Sequence, residues 1–263
     1  MSLAKLVGGR ILRYHGQKNL EYLEVTRGTL ELEHGRVPEH IRRYHLSLPR
    51  EISDKEVLFV DIETCGLSFN APINTITVGK INGELSFRTF FAPDYFAEKA
   101  ILIACLDYLR KADAVFTYNG TTFDIKRLSK RMQLHNIFRR TEKTNLGEML
   151  GNKHYDLYPS MVKLLAEQNH ALLDRKLQTL EKVLSKTHRE EDIPGARIPE
   201  IYNAFIQGGK DIEERKKIEE DMAKVIEHNI LDVASTCAVA AYAHENGVNI
   251  WENLLSPKVH ISQ

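Results

Sequence analysis

The chain has few cysteines, no long apolar run and no excess of either charge, and each absence argues against a class of protein. Its three cysteines, Cys65, Cys105 and Cys237, lie far apart and form no C-x-x-C pair, so neither a disulfide framework nor a zinc site is expected. The apolar stretches, such as residues 100–106, are too short to cross a bilayer. The first residues contain no apolar run of signal-peptide length. We therefore expect a cytoplasmic protein without a membrane partner.

Charge does not identify a partner, because Lys+Arg and Asp+Glu number 36 each. The 263 residues, 43% of them hydrophobic and 27% charged, are typical of a globular protein with one domain and additions. We expect a β-rich N-terminal extension over residues 1–52, a main domain over residues 53–250 and a C-terminal tail over residues 251–263.

Two acids follow an apolar strand at the start of the main domain. Residues 57–60 are all apolar, which is typical of a strand buried on both faces, and Asp61 and Glu63 come next. Residues two apart on a strand point to the same face, so both carboxylates are expected to project together while Ile62 stays in the core. Two buried acids side by side need a cation to offset their repulsion, and Mg²⁺ or Mn²⁺ suits carboxylates. A frayed strand end with two acids is the simpler alternative.

The remaining pattern predicts an α/β fold with a mixed five-stranded sheet flanked by helices. Strands are predicted at 73–81 and 84–91, joined by an Asn-Gly hairpin turn, and then at 114–118 and 153–157. Helices are predicted at 96–111, 160–168, 177–185, 198–206 and 212–245, and another after Asp124. The N-terminal extension is expected to hold a hairpin that turns at Arg27-Gly28, and residues 188–199 are expected to form a surface loop.

Further acids follow later in the chain. Asp124 comes shortly after the strand at 114–118, which is expected to run parallel to the first strand and to end at the same sheet edge. Thr121-x-x-Asp124 also fits a capping box, so Asp124 has a purely structural alternative. His228 and Asp232 lie four apart on the last long helix and share one flank of it. A solvated helix flank is the alternative for that pair.

A basic segment follows Asp124. Between residues 125 and 141 there are six Lys or Arg and no acid: Lys126, Arg127, Lys130, Arg131, Arg139 and Arg140. A solvated helix face accounts for much of this pattern, and a track for a polyanion beside an acidic pocket is the second interpretation. Lys126 and Arg127, which are nearest to Asp124, are the candidates for contact with nucleic acid.

Three blocks of the sequence resemble the DnaQ-like, or DEDD, 3′–5′ exonucleases of the ribonuclease-H-like superfamily. The blocks are Asp61-Ile62-Glu63, Asn119-x-x-x-Phe123-Asp124 and His228-Asn229-Ile230-Leu231-Asp232-Val233, and their order and intervals fit as well. Residues 193–202, leading to residues 227–229, are similar to the YprB-type ribonuclease-H-like domain, a group of predicted exonucleases. The resemblance spans roughly residues 55 to 245 and implies a ribonuclease-H-like fold.

The resemblance also implies a phosphodiesterase that acts on DNA or RNA, at a 3′ end, with two Mg²⁺ or Mn²⁺ ions. Asp61, Glu63 and Asp232 correspond to ligands of one ion, and Asp61 with Asp124 to ligands of the second. Paired cations would stabilise both the attacking and the leaving oxygen. His228 corresponds to the group that orients or deprotonates the water. The substrate contacts implied by the family pattern are Thr64, Leu67, Asn119 and Phe123.

The position of His228 departs from both branches of that family. One branch carries a tyrosine four residues before the last aspartate, and the other carries a histidine five residues before it. Here the histidine is four before Asp232, and Glu227 is five before it. The role of His228 as base therefore stays open, and contact with the scissile phosphate is an alternative. A catalytically inactive nucleic-acid-binding or scaffolding protein and a structure-selective endonuclease also remain as functions.

Overall fold

The computed structural model describes residues 2–13, 21–28, 52–82, 84–138, 145–168, 174–185, 189 and 192–255. The strands in this part of the chain are β1 (Arg10–Arg13), β2 (Glu21–Gly28), β3 (Val57–Thr64), β4 (Ile73–Asn82), β5 (Glu84–Phe91), β6 (Ala114–Thr117) and β7 (His154–Asp156). The α-helices are α1 (Leu3–Leu6), α2 (Glu98–Lys111), α3 (Asp124–Leu134), α4 (Leu146–Leu150), α5 (Leu157–Glu167), α6 (Leu177–Ser185), α7 (Ile198–Gln207), α8 (Ile212–Glu245) and α9 (Glu252–Leu255).

The described strands form one mixed sheet in the order β1-β2-β5-β4-β3-β6-β7. The β3, β4 and β5 strands form an antiparallel meander, whereas β6 and β7 run parallel to β3. Helix α2 connects β5 to β6, and this crossover lets β6 lie parallel to β3. The predicted α/β class with a mixed sheet flanked by helices is confirmed.

The sheet has seven strands rather than five, because the N-terminal strands extend its antiparallel edge. Strand β2 pairs with β5 over residues 23–28, from Leu23 opposite Phe91 to Gly28 opposite Ser86. The predicted turn at Arg27-Gly28 is wrong, since both residues belong to this pairing. The second arm of the predicted hairpin, residues 29–33, lies outside the described residues.

Helices on the two faces of the sheet enclose two hydrophobic clusters. Val57 and Phe59 of β3 pack in the cluster that includes α5, α7 and α8. Leu58, Val60 and Ile62 pack in the other cluster, with α2, α3 and α4. Because side chains alternate along a strand, residues 61 and 63 fall on the α8 face. The fold therefore directs the two acids of β3 towards α8.

Helix α8 lies close to the sheet on this face. Gly79 of β4 makes the approach possible, because a Cβ at this position would lie 2.7 Å from Cγ1 of Val233. The helix is buried over most of its second half, so Asp232 enters the interior rather than lying on a solvated flank.

The chain beyond α8 also joins the core. Trp251 is 1% exposed and its ring packs against Phe116 of β6, with the centroids 5.3 Å apart. Trp251, the first residue of the predicted C-terminal tail, therefore belongs to the buried core. No helix in the described part of the chain is both long and apolar enough to cross a bilayer.

Candidate active site

The carboxylates of β3 lie against the middle of α8. Glu63 Oε1 is 3.7 Å from Nε2 of His228, and its side chain is 14% exposed. Asp61 Oδ2 accepts a hydrogen bond of 2.6 Å from Nδ2 of Asn229, and the same amide also bonds to Glu63. Adjacent positions on β3 and α8 thus bring two acids, an imidazole and an amide together.

Asp124, the first residue of α3, reaches the same place at the end of the loop that follows β6. It is 3% exposed, and the backbone of Ile62, the residue between the two acids of β3, stabilises its charged form. Phe123 is the N-cap of α3, and its side chain makes no capping bond. Because Thr121 is not the N-cap, the Thr121–Asp124 capping box does not form, and Asp124, which repels Asp61, belongs to the cluster.

The loop that carries Asp124 has a fixed shape. Asn119 adopts a left-handed conformation with φ of 64°, which asparagine tolerates better than most residues. Gly120 cannot bear a side chain, since a Cβ would lie 2.1 Å from Oγ1 of Thr117. Both oxygens of Asp156 hold the loop, because they accept bonds of 2.7 Å from the N–H of Asn119 and 2.9 Å from that of Thr121.

Asp156 also caps α5, since its Oδ1 accepts a bond of 3.1 Å from the N–H of Tyr158. Asp156 thus serves both as a helix cap and as the acceptor that holds the preceding loop. Strand β7 therefore positions the loop of its neighbour β6, and through this loop it positions Asp124.

Helix α8 contributes Asp232 one turn beyond His228. Nε2 of His228 lies 3.4 Å from Oδ2 of Asp232. One ligand atom from each of Glu63, His228 and Asp232 lies within 4.8 Å of the others. The four-residue spacing thus places both α8 side chains in the cluster rather than in solvent.

Two residues that the sequence did not identify complete the cluster, and both come from the segment before α7. Asp192 Oδ1 is 2.6 Å from Nδ1 of His228. Nη1 of Arg189 is 2.6 Å from Oδ1 of Asp232 and 3.3 Å from Oδ2 of Asp192. The same guanidinium also binds Glu181 and Ser235.

The predicted surface loop over 188–199 is therefore wrong for these two positions. The Arg189 side chain is only 5% exposed, because its partners are themselves buried acids. Arg189 lies between polar residues and a Pro-Gly turn, so no helical or strand repeat indicated that its side chain would be buried. Asn229, by contrast, follows His228 in the third block, so its place beside the site could have been predicted from the sequence.

Burial and mutual repulsion dominate the electrostatics of the acids. Burial, followed by repulsion from Asp124, Asp232 and Glu63, raises the pKa of Asp61 well above its ordinary value. Burial also raises the pKa of Glu63 to about 8, with repulsion from Asp232 and Asp124 adding to it against the attraction of His228. The acids thus interact through space as one group.

The pKa of Asp124 is raised to about 7, again mainly by burial, with repulsion from Asp156 and Asp232 and against two backbone hydrogen bonds. Burial alone would lower the pKa of His228, but Asp232, the hydrogen bond to Asp192 and Glu63 together raise it to about 9. The imidazole therefore carries a proton near neutral pH, and it offsets part of the negative charge.

The cluster fits a divalent-cation site. Oδ1 of Asp124 is buried and has no hydrogen-bond partner among the described residues. A buried carboxylate oxygen without a donor is costly, and a hard cation would satisfy it. Oxygen ligands from Asp61, Glu63, Asp124 and Asp232 suit Mg²⁺ or Mn²⁺.

The residues that are predicted to contact substrate differ in exposure and in their partners. Asn119 and Phe123 line a cleft together with Asp61 and Asp124. Thr64 is 7% exposed and donates a bond of 2.9 Å to the carbonyl oxygen of Gly66, so its hydroxyl supports the turn after β3.

Leu67 is 89% exposed beyond that turn. Arg127 is buried, and its guanidinium donates to the carbonyl oxygens of Leu67 and Ser68 and stacks 4.4 Å from the ring centroid of Phe123. Lys126 is exposed. Arg127 thus positions the loop that carries Leu67, and contact of any of these residues with substrate stays a prediction.

The comparisons with known proteins concern the superfamily and the fold. A family model described as the RNase_H superfamily matches residues 58–244. No curated protein sequence matches the chain at a significant level. Among solved structures, the chain is similar to the family B DNA polymerase from the hyperthermophilic archaeon Pyrobaculum calidifontis, with 19% identity and a TM-score of 0.52.

That similarity covers 72% of this chain and 24% of the polymerase, so the chain spans about a quarter of that protein. At this identity the likeness concerns the fold, and the ribonuclease-H-like fold is confirmed. Since the family match covers more than half of the sequence, the chain belongs to the RNase_H superfamily.

Proposed function

We propose that the protein is a metal-dependent 3′–5′ exonuclease of the DEDD type that hydrolyses phosphodiester bonds of DNA or RNA. One observation carries the proposal: acids from three distant segments, Asp61 with Glu63, Asp124, and Asp232, repel one another within one largely buried cluster. A fold has no structural need to concentrate four acids in its interior, and such clusters are typical of catalytic metal sites. The YprB-type resemblance of residues 193–202 and 227–229 supports the same assignment.

The four carboxylates would hold the metal, which we propose to be a pair of Mg²⁺ or Mn²⁺ ions. Such a pair supplies a water of lowered pKa and stabilises the charge that develops on the attacking and leaving oxygens. Asn229 positions Asp61 through a hydrogen bond of 2.6 Å, and Arg189 positions Asp232 through an ion pair with an N–O distance of 2.6 Å.

The two ring nitrogens of His228 have distinct roles in this proposal. Asp192 binds Nδ1 and fixes the orientation of the ring, while Nε2 faces Glu63 and Asp232. The Nε2 edge of the ring therefore faces the acid cluster. Cations bound to the carboxylates would repel a protonated imidazole and so favour the neutral form that a base requires.

The test uses single-stranded DNA and RNA labelled at the 3′ or the 5′ end, with Mg²⁺, Mn²⁺ or a chelator. We expect stepwise shortening from the 3′ end that requires metal and is lost in Asp61→Asn. His228→Ala should lower turnover far more than it weakens binding. Binding without cleavage under every metal would instead indicate a scaffolding protein, and internal cuts would indicate an endonuclease.

A further inference from the structure

A cleft next to the acid cluster is lined in part by residues that the proposed mechanism does not use. Asp61, Asn119, Phe123 and Asp124 line one part of it, and Tyr118, Tyr158, Arg175, Lys176 and Leu177 line the rest. We propose that this cleft is a binding subsite for a single nucleic-acid strand, with a base against Tyr158 and phosphates at Arg175 and Lys176. This inference rests on the proposed function, and it names the substrate form and the residues that hold it.

The aromatic wall of the cleft is built from two elements. The rings of Tyr118 and Tyr158 meet edge to face, with centroids 5.6 Å apart. The hydroxyl of Tyr118 donates a bond of 2.6 Å to the carbonyl oxygen of Arg175, which ties the segment before α6 to this wall. Both rings remain partly accessible. Aromatic rings beside a groove stack bases of any sequence, because every base has a π-face.

The basic wall comes from the segment before α6. Arg175 is exposed, and the Lys176 side chain is 78% exposed, with Nζ 3.7 Å from Oδ2 of the half-exposed Asp174. An ion pair this exposed contributes little, so the ammonium group is available to a phosphate. Two cations next to an aromatic wall form the combination that single-stranded nucleic acids favour.

The basic segment on α3, where the sequence suggested a polyanion track, is less suited to this role. Arg127 is bound to the carbonyl oxygens of Leu67 and Ser68, and Arg131 forms an ion pair with the buried Glu98. Arg139 and Arg140 lie outside the described residues. Two of the arginines in this track thus hold the fold together, which leaves Arg175 and Lys176 as cations on the cleft itself.

The depth of the acids favours a single strand over a duplex. Glu63 and Asp232 side chains are 14% and 16% exposed, so a phosphodiester reaches them only if the chain enters the cleft. A strand paired on one side would hold its phosphate on the outside of a wide helix, whereas an unpaired strand can bend inward and expose its bases to Tyr158.

The experiment measures binding of fluorescein-labelled oligothymidylate and oligouridylate in EDTA over a series of NaCl concentrations. Each phosphate contact on a single strand contributes about 0.7 to the slope of log K against log salt. Neutralising both cations in Arg175→Gln/Lys176→Gln should therefore reduce that slope by about 1.4. The matched control, Lys216→Gln/Lys217→Gln on the exposed start of α8, should leave the slope unchanged.

The ring is tested separately. Tyr158→Ala should weaken binding about tenfold or more, and Tyr158→Phe should keep the wild-type affinity, because stacking uses the ring. The two oligonucleotides decide whether the strand is DNA, RNA or either. An unchanged salt slope in Arg175→Gln/Lys176→Gln, or no binding of either oligonucleotide by the wild-type chain, would overturn the inference.

Cleavage in Mg²⁺ is measured in parallel, so the two proposals can fail separately. If the wild type cleaves but the double variant has an unchanged salt slope, the subsite proposal is wrong and the exonuclease proposal stands. If the slope changes as predicted but no metal supports cleavage, the cleft is a binding site and the exonuclease proposal is wrong.

Discussion

At the scale of single residues, Asp124 carries a carboxylate that weakens the metal-free fold. Its pKa is raised to about 7, mainly by burial, and its Oδ1 has no hydrogen-bond partner in the described part of the chain. When folding raises the pKa of a carboxyl group, its ionised form has a higher free energy in the folded state than in the unfolded state. Neutralising it should therefore relieve this cost at neutral pH.

We expect Asp124→Asn to raise the free energy of unfolding of the metal-free protein by about 1 kcal/mol or more. Wild type should gain stability when Mg²⁺ is added, because a ligand that binds only the folded state stabilises it, and the variant should gain less. Urea denaturation with Mg²⁺ and with EDTA measures both effects. Asp54→Asn, at an exposed acid, is the control, and a less stable variant with a full Mg²⁺ response would contradict the account.

Asp192 tests whether the orientation of His228 matters. Its Oδ1 lies 2.6 Å from Nδ1 of the imidazole, and groups that orient a histidine in a metal site are typically worth 10–100-fold in activity or metal affinity. We expect Asp192→Asn to lower turnover by about 10-fold or more, with oligonucleotide affinity in EDTA unchanged. Glu200→Gln, at an exposed position, should have full turnover. Equal turnover in both variants would exclude the positioning role.

The acids of the site were predictable from the sequence, whereas their supports were not. Strand alternation fixed the shared direction of Asp61 and Glu63, and the helical repeat fixed that of His228 and Asp232. Arg189 reaches the cluster through a segment without periodicity. Only the three-dimensional path of that segment, past the buried Glu181, brings its guanidinium to Asp232.

At the scale of elements, one buried acid joins α2, α3 and the start of β4. Glu98 is 1% exposed, and its carboxylate accepts bonds from Arg131, His135 and the N–H of Ile73. Burial would raise the pKa of Glu98, but these donors together lower it below 4.5. The ion pair therefore stabilises the fold while Glu98 is ionised.

We expect Glu98→Gln to lower the free energy of unfolding by about 3 kcal/mol at neutral pH, since it leaves Arg131, whose side chain is 13% exposed, without its acid. A lowered carboxyl pKa gives stability that is present above pH 4.5 and is lost as pH falls through the pKa of the folded state. The difference between wild type and variant should therefore shrink in acid. Urea denaturation as a function of pH measures it, with Glu220→Gln as an exposed control. A difference independent of pH would contradict the ionic origin.

Elements with a clear repeat were predicted closely, and pairings between distant strands were not. Helix α8 has the bounds that its sequence indicated, Ile212–Glu245, because its apolar positions recur at helical spacing. The pairing of β2 with β5 joins residues that are distant in the sequence, such as Leu23 and Phe91. A local sequence pattern does not show which strand, distant in the sequence, a given strand will pair with.

At the scale of the whole molecule, the N-terminal strands share the core of the main sheet. Leu23 and Val25 of β2 are buried in the same cluster as Phe59 and Phe116. Although the boundaries predicted at residues 52 and 250 stay predictions, this packing indicates that residues 21–28 unfold together with the sheet.

We expect Val25→Ala to destabilise the whole chain by about 2 kcal/mol, because it removes buried methyl groups from a closed core. Circular dichroism and the fluorescence of Trp251, the single tryptophan, should report the same urea midpoint, shifted equally by the substitution. Thr26→Ala, at an exposed position of the same strand, is the control. Separate midpoints for the two probes would show that β2 unfolds independently.

The central claim, that acids from three segments form one metal site, is tested most directly by anomalous scattering from crystals soaked in Mn²⁺. The account predicts strong peaks within coordination distance of Asp61, Glu63, Asp124 and Asp232, and their loss in Asp61→Asn crystals treated in the same way. Crystals that bind Mn²⁺ elsewhere but show no peak at these carboxylates would contradict it.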